Sequence, residues 1–225
     1  FNSSIKGIEE SDFIFLIGTN PRFEATILNA RIRKSYLKNK TEIISLNSIG
    51  DLTYPYKKLE GNIDTIKEII NDQHVVSTKI KEAKKPIIIF GQSALEFKFG
   101  KYIFESIKFY LIKNKKISEE WNSLNTISEN ASTVGSLDLG IYKTKDGSNE
   151  VLSDLENHKY EIVYLLGQDS LKFKKQNEFI IYQGSHGDKG AEIADVILPG
   201  PAYTEQNGYF TNLEGKLQKA YKASY

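Results

Sequence analysis

The chain contains no cysteine, and this absence excludes several kinds of chemistry at once. Disulfides, zinc–thiolate sites and ordinary iron–sulfur clusters all require cysteine sulfur, so none of them can form within this chain. A thiolate-bound redox centre is therefore excluded here. We expect the chain to act as a structural part of a larger assembly.

Other absences narrow the possibilities further. Methionine is missing and the first residue is Phe1, which predicts that the chain is a fragment of a longer polypeptide. No run approaches the roughly 20 consecutive apolar residues that a membrane-spanning helix needs, so direct membrane insertion is not expected. The 30 basic and 29 acidic residues nearly cancel, which removes the positive field that DNA- and RNA-binding proteins use. Nucleic acid is therefore not an expected partner.

Short apolar runs, most of which end at a glycine, predict the strands. Their near-continuous hydrophobicity is typical of strands that are buried on both faces, as in parallel sheets. The predicted strands cover residues 13–17, 42–46, 87–90, 162–166 and 179–183. Because helical patterns alternate with these runs, we predict an α/β fold with a parallel sheet.

The first helix is predicted from both its start and its periodicity. Asn20 is a favourable N-cap, Pro21 suits the first helical position, and Glu24 places a carboxylate in the first turn. Apolar residues then recur at helical spacing as far as Tyr36. Further helices are predicted over residues 63–70, 75–83, 100–113, 123–134 and 150–156.

The polar segment 143–149 is the best candidate for a boundary between domains, because it offers turn residues and nothing to bury. We therefore divide the chain into a first α/β lobe, residues 1–142, and a second part, residues 143–225. After Pro199 the sequence predicts extended loops and turns.

The first candidate site is the turn Gly18, Thr19 and Asn20 with Arg22 after it. Backbone N–H groups at a helix start can hold a phosphate, and an arginine would add positive charge. The alternative is that these residues only turn and cap the chain. That alternative is favoured because neither of the common phosphate-binding glycine motifs is present.

The second candidate site is the loop after the strand at 179–183, which contains Gly184, His186 and Asp188. The histidine and aspartate could share a proton in catalysis, but their spacing supplies no nucleophile, so a structural role is favoured. The segment 194–200 is predicted as a short strand with a proline stop. His74 and His158 lie in polar segments expected to be exposed, and three scattered histidines predict no metal site.

The segments 18–25 (GTNPRFEA) and 28–34 (LNARIRK) together resemble the large iron–sulfur subunit of NADH:ubiquinone oxidoreductase, respiratory complex I, in its molybdopterin-oxidoreductase-like domain. The resemblance is closer to mitochondrial than to bacterial versions. Further segments agree with the same subunit in the same order: 51–54, 82–86, 136–140, 180–184 with 186–188, 193–200 and 202–205.

The resemblance implies a Rossmann-like, molybdopterin-oxidoreductase-type sheet with helices on both faces and no redox chemistry on this segment. It implies no catalytic, metal or cofactor-binding residues here, and [2Fe-2S] and [4Fe-4S] clusters on amino-terminal domains that this sequence does not include. The expected partners are those domains and other subunits of the peripheral arm, on the matrix side of the mitochondrial inner membrane. Lys216 stands where the family usually has arginine.

Two rival hypotheses remain open. In one, the domain keeps a pterin or nucleotide site at the Gly18 and Gly184 turns, with Thr19, Asn20, Arg22 and His186 as its vestigial or surviving residues. In the other, which ranks last, the chain is a hydrolase that uses His186 and Asp188.

Overall fold

The computed structural model describes residues 1–47, 49–131, 133–141, 150–171 and 174–223. The described part of the chain divides into two compact units. The first comprises Phe1–Val134 and Thr211–Lys216, and the second comprises Gly135–Phe210 and Leu217–Tyr225. The predicted boundary segment 143–149 lies outside the described residues.

The first unit is built on a five-stranded, all-parallel sheet with the order β3-β2-β1-β4-β5. Its strands are β1 (Phe13–Ile17), β2 (Glu42–Leu46), β3 (Lys57–Leu59), β4 (Pro86–Phe90) and β5 (Leu124–Thr126). Its helices are a 3-10 turn (Gly7–Glu10), α1 (Pro21–Glu24), α2 (Thr26–Asn39), α3 (Ile63–Ile70), α4 (Val75–Glu82), α5 (Gln92–Glu96) and α6 (Gly100–Lys113). A further helix, α7 (Thr133–Asp138), crosses the division between the units.

Helices cover both faces of this sheet. Every residue of β1 and β4 is buried, and alternate side chains enter two different cores. Ile14 and Leu16 pack with α2, whereas Phe13, Phe15 and Ile17 pack with α3, α4 and α6. The prediction of a parallel sheet with helices on both faces is confirmed.

The second unit contains a three-stranded parallel sheet with the order β6-β7-β8. Its elements are α8 (Glu150–Glu156), β6 (Ile162–Leu166), β7 (Phe179–Gly184), α9 (Lys189–Glu192) and β8 (Val196–Pro199). Leu165, Ile180 and Tyr182 are buried on one face of the sheet. The segment predicted as loops after Pro199 also holds a two-stranded sheet of β9 (Gly208–Thr211) and β10 (Leu217–Ala220).

Two helix predictions are wrong in part. The predicted helix at 123–134 is instead β5, with α7 beginning at Thr133. Its polar residues are not solvent-facing, since Ser123 and Asn125 are fully buried and the Asn125 side chain accepts hydrogen bonds from the backbone of Asn2 and Ser3. The helix predicted to start at Pro21 is interrupted at Ala25, which caps α2 with φ −152° and ψ 74°.

None of the helices among the described residues is long and apolar enough to cross a membrane.

Candidate functional site

A cavity of about 810 Å³ lies in the first unit at the carboxyl ends of β1, β2 and β4. The chain leaves β1 in one direction along the sheet and returns to β4 on the other side of it. Open parallel sheets bind their ligands at such a reversal of strand order. The cavity therefore occupies the position that the topology favours for a site.

The predicted turn residues Gly18, Thr19 and Asn20 line this cavity. Gly18 has φ +57°, and a Cβ added to it would lie 2.6 Å from the Cβ of Ala94. A Cβ on Gly91, the residue after β4, would overlap the carbonyl oxygen of Gly18. Glycine is needed at both positions because the turns after β1 and β4 approach each other closely.

Glu24 stabilises this turn with both of its carboxylate oxygens. One carboxylate oxygen accepts a hydrogen bond from the Thr19 hydroxyl at 2.8 Å, and the other accepts from the Asn20 backbone N–H. The Asn20 side chain accepts from the Arg22 N–H at 3.1 Å and donates to the Ile49 carbonyl at 2.6 Å. Three donors that a phosphate could use at this turn, the Thr19 hydroxyl and the N–H groups of Asn20 and Arg22, therefore already have partners.

Arg22 adds no positive charge to the cavity wall. Its guanidinium donates to the Asp51 carboxylate at 2.6 Å and to the Asp51 carbonyl at 3.0 Å, and it is not a lining residue. A hydrogen bond from the Thr53 N–H and the nearby guanidinium of Arg22 lower the pKa of Asp51. The arginine thus holds the loop after β2 in place.

The wall of the cavity is mainly apolar. Among the described residues that line it, Glu24 is the one ionisable side chain. The apolar lining residues are Ile17, Leu46, Ile49, Ile63, Ile66, Ala94, Phe97, Phe99 and Ile103. A pterin dinucleotide carries a pyrophosphate, and a carboxylate beside it would repel that group. The residues lining this cavity do not fit such a cofactor.

The second candidate loop lies in the second unit. The ring of His186 is hydrogen-bonded to the Ser185 hydroxyl at 2.9 Å. No bond from that ring to Asp188 occurs within the described residues. The structure therefore does not assemble the histidine–aspartate pair of the hydrolase hypothesis.

A buried tyrosine fastens the same loop. The Tyr182 hydroxyl lies 3.0 Å from Asp169 Oδ2 and 2.9 Å from the His186 carbonyl oxygen. The other oxygen of Asp169 accepts from the Gly190 N–H at 3.0 Å. A Cβ on Gly184 would collide with the Tyr182 ring. Burial, with Asp169 as a second cause, raises the pKa of Tyr182. These contacts give the loop a structural role.

The remaining histidines also have structural partners. His74 caps α4, its Nδ1 accepting from the Val76 N–H at 3.1 Å. His158, which is half-buried in an otherwise exposed segment, pairs with Glu178, which is almost completely buried just before β7. Within the described ranges, no group of three or more histidine, aspartate or glutamate side chains could hold a metal ion.

Comparison with known proteins decides the family. The sequence model of the molybdopterin oxidoreductase family matches residues 1–225. The chain belongs to this family. The resemblance inferred from the segments around Gly18 is thereby confirmed, and so is the fold that it implied.

Three curated relatives are named as 75 or 78 kDa subunits of NADH-ubiquinone oxidoreductase. The chain is 42% identical over 226 residues to the NADH-ubiquinone oxidoreductase 75 kDa subunit of Reclinomonas americana, in a match that covers 100% of this chain and 32% of the relative. It is 41% identical to the mitochondrial NADH-ubiquinone oxidoreductase 78 kDa subunit of Candida albicans, over 97% of this chain and 29% of the relative. The mitochondrial 78 kDa subunit of Neurospora crassa is 36% identical, over 97% of this chain and 29% of its own length. The chain thus spans about a third of the length of these relatives.

Proposed function

We propose that this chain is the cofactor-free scaffold domain of the large iron–sulfur subunit in an NADH:ubiquinone oxidoreductase. In this role it holds the cluster-bearing parts of the subunit and its neighbours in position, in the peripheral arm on the matrix side of the mitochondrial inner membrane. The observation that carries the proposal is the whole-chain similarity, at 42% and 41% identity, to subunits named for that enzyme.

The composition is that of a domain that assists electron transfer without holding an iron–sulfur cluster. Iron–sulfur clusters are held by cysteine, with histidine as an occasional substitute, and this chain has no cysteine. The electron path of the enzyme must therefore run through clusters held by other polypeptide segments. The contribution of this domain is to hold those segments in position.

An exposed sheet face in the second unit supports a role in assembly. On β6, the side chains of Ile162, Tyr164 and Leu166 point to the same face, and they are 65%, 50% and 72% exposed. Phe179 of β7 pairs with Ile162 in register and is also exposed. Parallel sheets are normally covered on both faces, so this face is suited to another polypeptide.

The free energy gained by burying that face is large enough to contribute to assembly. Burying one large apolar side chain contributes about 1.5–3 kcal/mol. Because the three side chains on β6 are only 50–72% exposed, burying them completely would contribute about 3–6 kcal/mol before the costs of association are subtracted. We assign the face to contact with neighbouring peripheral-arm polypeptides, including the cluster-bearing part of the same subunit.

The test is assembly of the enzyme in the source organism. A tagged subunit with Leu166→Glu should assemble poorly, because a carboxylate would be buried without a partner in the contact. The matched control is Ile27→Glu on α2, which is 71% exposed and should assemble normally. Native gels and NADH:ubiquinone reductase activity of the membranes provide the two readouts.

Two results would contradict the proposal. One is absence of this chain from the purified enzyme on mass spectrometry. The other is normal assembly and activity after its deletion. Recovery of a tightly bound nucleotide or pterin with the chain would instead support the alternative at the Gly18 and Gly184 turns.

A further inference from the structure

The cavity at the strand ends has an aromatic rim. Phe97 and Phe99 line it and are 57% and 42% exposed. Their rings meet edge to face, with centroids 5.8 Å apart and an interplanar angle of 66°. Two exposed phenylalanines next to an apolar hollow can enclose a third aromatic ring.

The other lining residues are mainly apolar, but Glu24 adds one negative charge. Ile63, Ile66 and Ile103 supply its hydrocarbon wall. Glu24 is held in place by Thr19 and Asn20, so its carboxylate keeps a defined position instead of moving away from a ligand. A site of this kind favours a neutral or cationic guest and disfavours an anion.

We propose that this cavity is a binding site for a small aromatic molecule that is uncharged or cationic, and that it excludes phosphate-bearing ligands. Its volume of about 810 Å³ lies within the range of about 300–1,000 Å³ that is usual for small-molecule sites. Glu24 meets the polar or cationic end of the guest, and the aromatic rim covers the rings. The proposal does not depend on the assembly role, since the site lies within the first unit alone.

The test uses two dyes that share one aromatic skeleton and differ in charge. N-phenyl-1-naphthylamine is neutral, whereas 8-anilino-1-naphthalenesulfonate carries a sulfonate. Titrated against the full 225-residue chain, the neutral dye should bind saturably and about tenfold more tightly than the anionic one, a ratio expected for one unfavourable charge contact.

Substitutions at the lining residues test whether the dyes bind in the cavity. Glu24→Gln should narrow the difference between the dyes to about threefold or less, because the repelling charge is gone. Phe97→Ala should weaken the neutral dye about tenfold, with Phe99→Ala as a second variant of the same rim. The control is Phe109→Ala on α6, which is 66% exposed, does not line the cavity and should bind like the parent chain.

Several outcomes would overturn the proposal. These are equal affinity for the two dyes in the parent chain, binding that neither rim variant weakens, or displacement of the neutral dye by millimolar ADP. Circular dichroism of each variant verifies that the fold is retained. A failure here leaves the assembly result untouched, because assembly is measured on another surface and in the whole enzyme.

Discussion

The close approach of two turns makes Gly18 a sensitive position of the first unit. In Gly18→Ala the new methyl group would lie 2.6 Å from the Cβ of Ala94 and 2.9 Å from its backbone nitrogen. Such overpacking costs about 1–3 kcal/mol, and alanine at φ +57° adds about 1–2 kcal/mol of backbone strain. We expect the free energy of unfolding to fall by about 2–5 kcal/mol.

Gly50→Ala separates the two contributions. Gly50 also has a positive φ, +81°, but a Cβ there would meet nothing within 4 Å. This variant should therefore lose only the strain of about 1–2 kcal/mol. The difference between the two variants, about 1–3 kcal/mol, measures the overlap between the turns.

The assay is urea unfolding followed by tryptophan fluorescence. Trp121 is the single tryptophan of the chain, packs against the core on the α2 side of the sheet, and donates its indole N–H to the Pro86 carbonyl at 2.9 Å. It therefore reports on the first unit. With a slope of about 2 kcal/mol per molar urea, the Gly18 variant should unfold about 0.5–1.5 M earlier than the Gly50 variant. Equal midpoints would refute the close approach.

Two further predictions concern the same unit and the same assay. Ile88→Ala removes a fully buried side chain from β4 and should lower the free energy of unfolding by about 2–5 kcal/mol. Phe109→Ala, at an exposed position, should lower it by less than about 0.5 kcal/mol. Similar losses in the two variants would contradict the assigned core. Burial tends to raise the pKa of Glu42, but Lys57 and Lys79 outweigh it and lower that pKa below its usual value. Glu42→Gln should therefore reduce stability by about 0.5–1 kcal/mol at neutral pH, and this loss should shrink as the pH falls from about 5 through the lowered pKa; a loss independent of pH would contradict the ion pairs.

The regular elements could be predicted because their signals are local. Continuous apolar runs, most of them followed by glycine, identified β1, β2, β4, β6 and β7 to within a residue. The same holds for α3 and α6, whose bounds match the prediction. Strands that are buried on both faces, as β1 and β4 are, leave a continuous hydrophobic run in the sequence.

The errors arise where distant residues decide the structure. Asn125 can be buried in β5 because the backbone of Asn2 and Ser3, more than 120 residues earlier in the chain, donates to its side chain. The binary pattern of polar and apolar residues treats a buried asparagine as solvent-facing, so it predicted a helix. Arg22 likewise looked available for an anion until folding brought Asp51, 29 residues later, next to it.

The candidate site shows the same division between topology and chemistry. Sequence reasoning located the turn at Gly18, because the end of a strand and the cap of the following helix leave local patterns in the sequence. It did not reveal that Glu24 would use both carboxylate oxygens to close that turn. A carboxylate four residues after an N-cap asparagine can accept a hydrogen bond from the cap, so the spacing of Asn20 and Glu24 allowed this contact. The same spacing is also compatible with other structures.

The location of a site and its ligand are therefore separate questions in this fold. A reversal of strand order creates a crevice whatever side chains line it, and related proteins can retain the crevice while the chemistry changes. Here Glu24 and otherwise uncharged residues line the position where phosphate would need free N–H donors or a cation. One carboxylate thus stabilises the turn and determines the charge of the guest, so Glu24→Gln should alter selectivity between charged and neutral dyes more than it alters the fold.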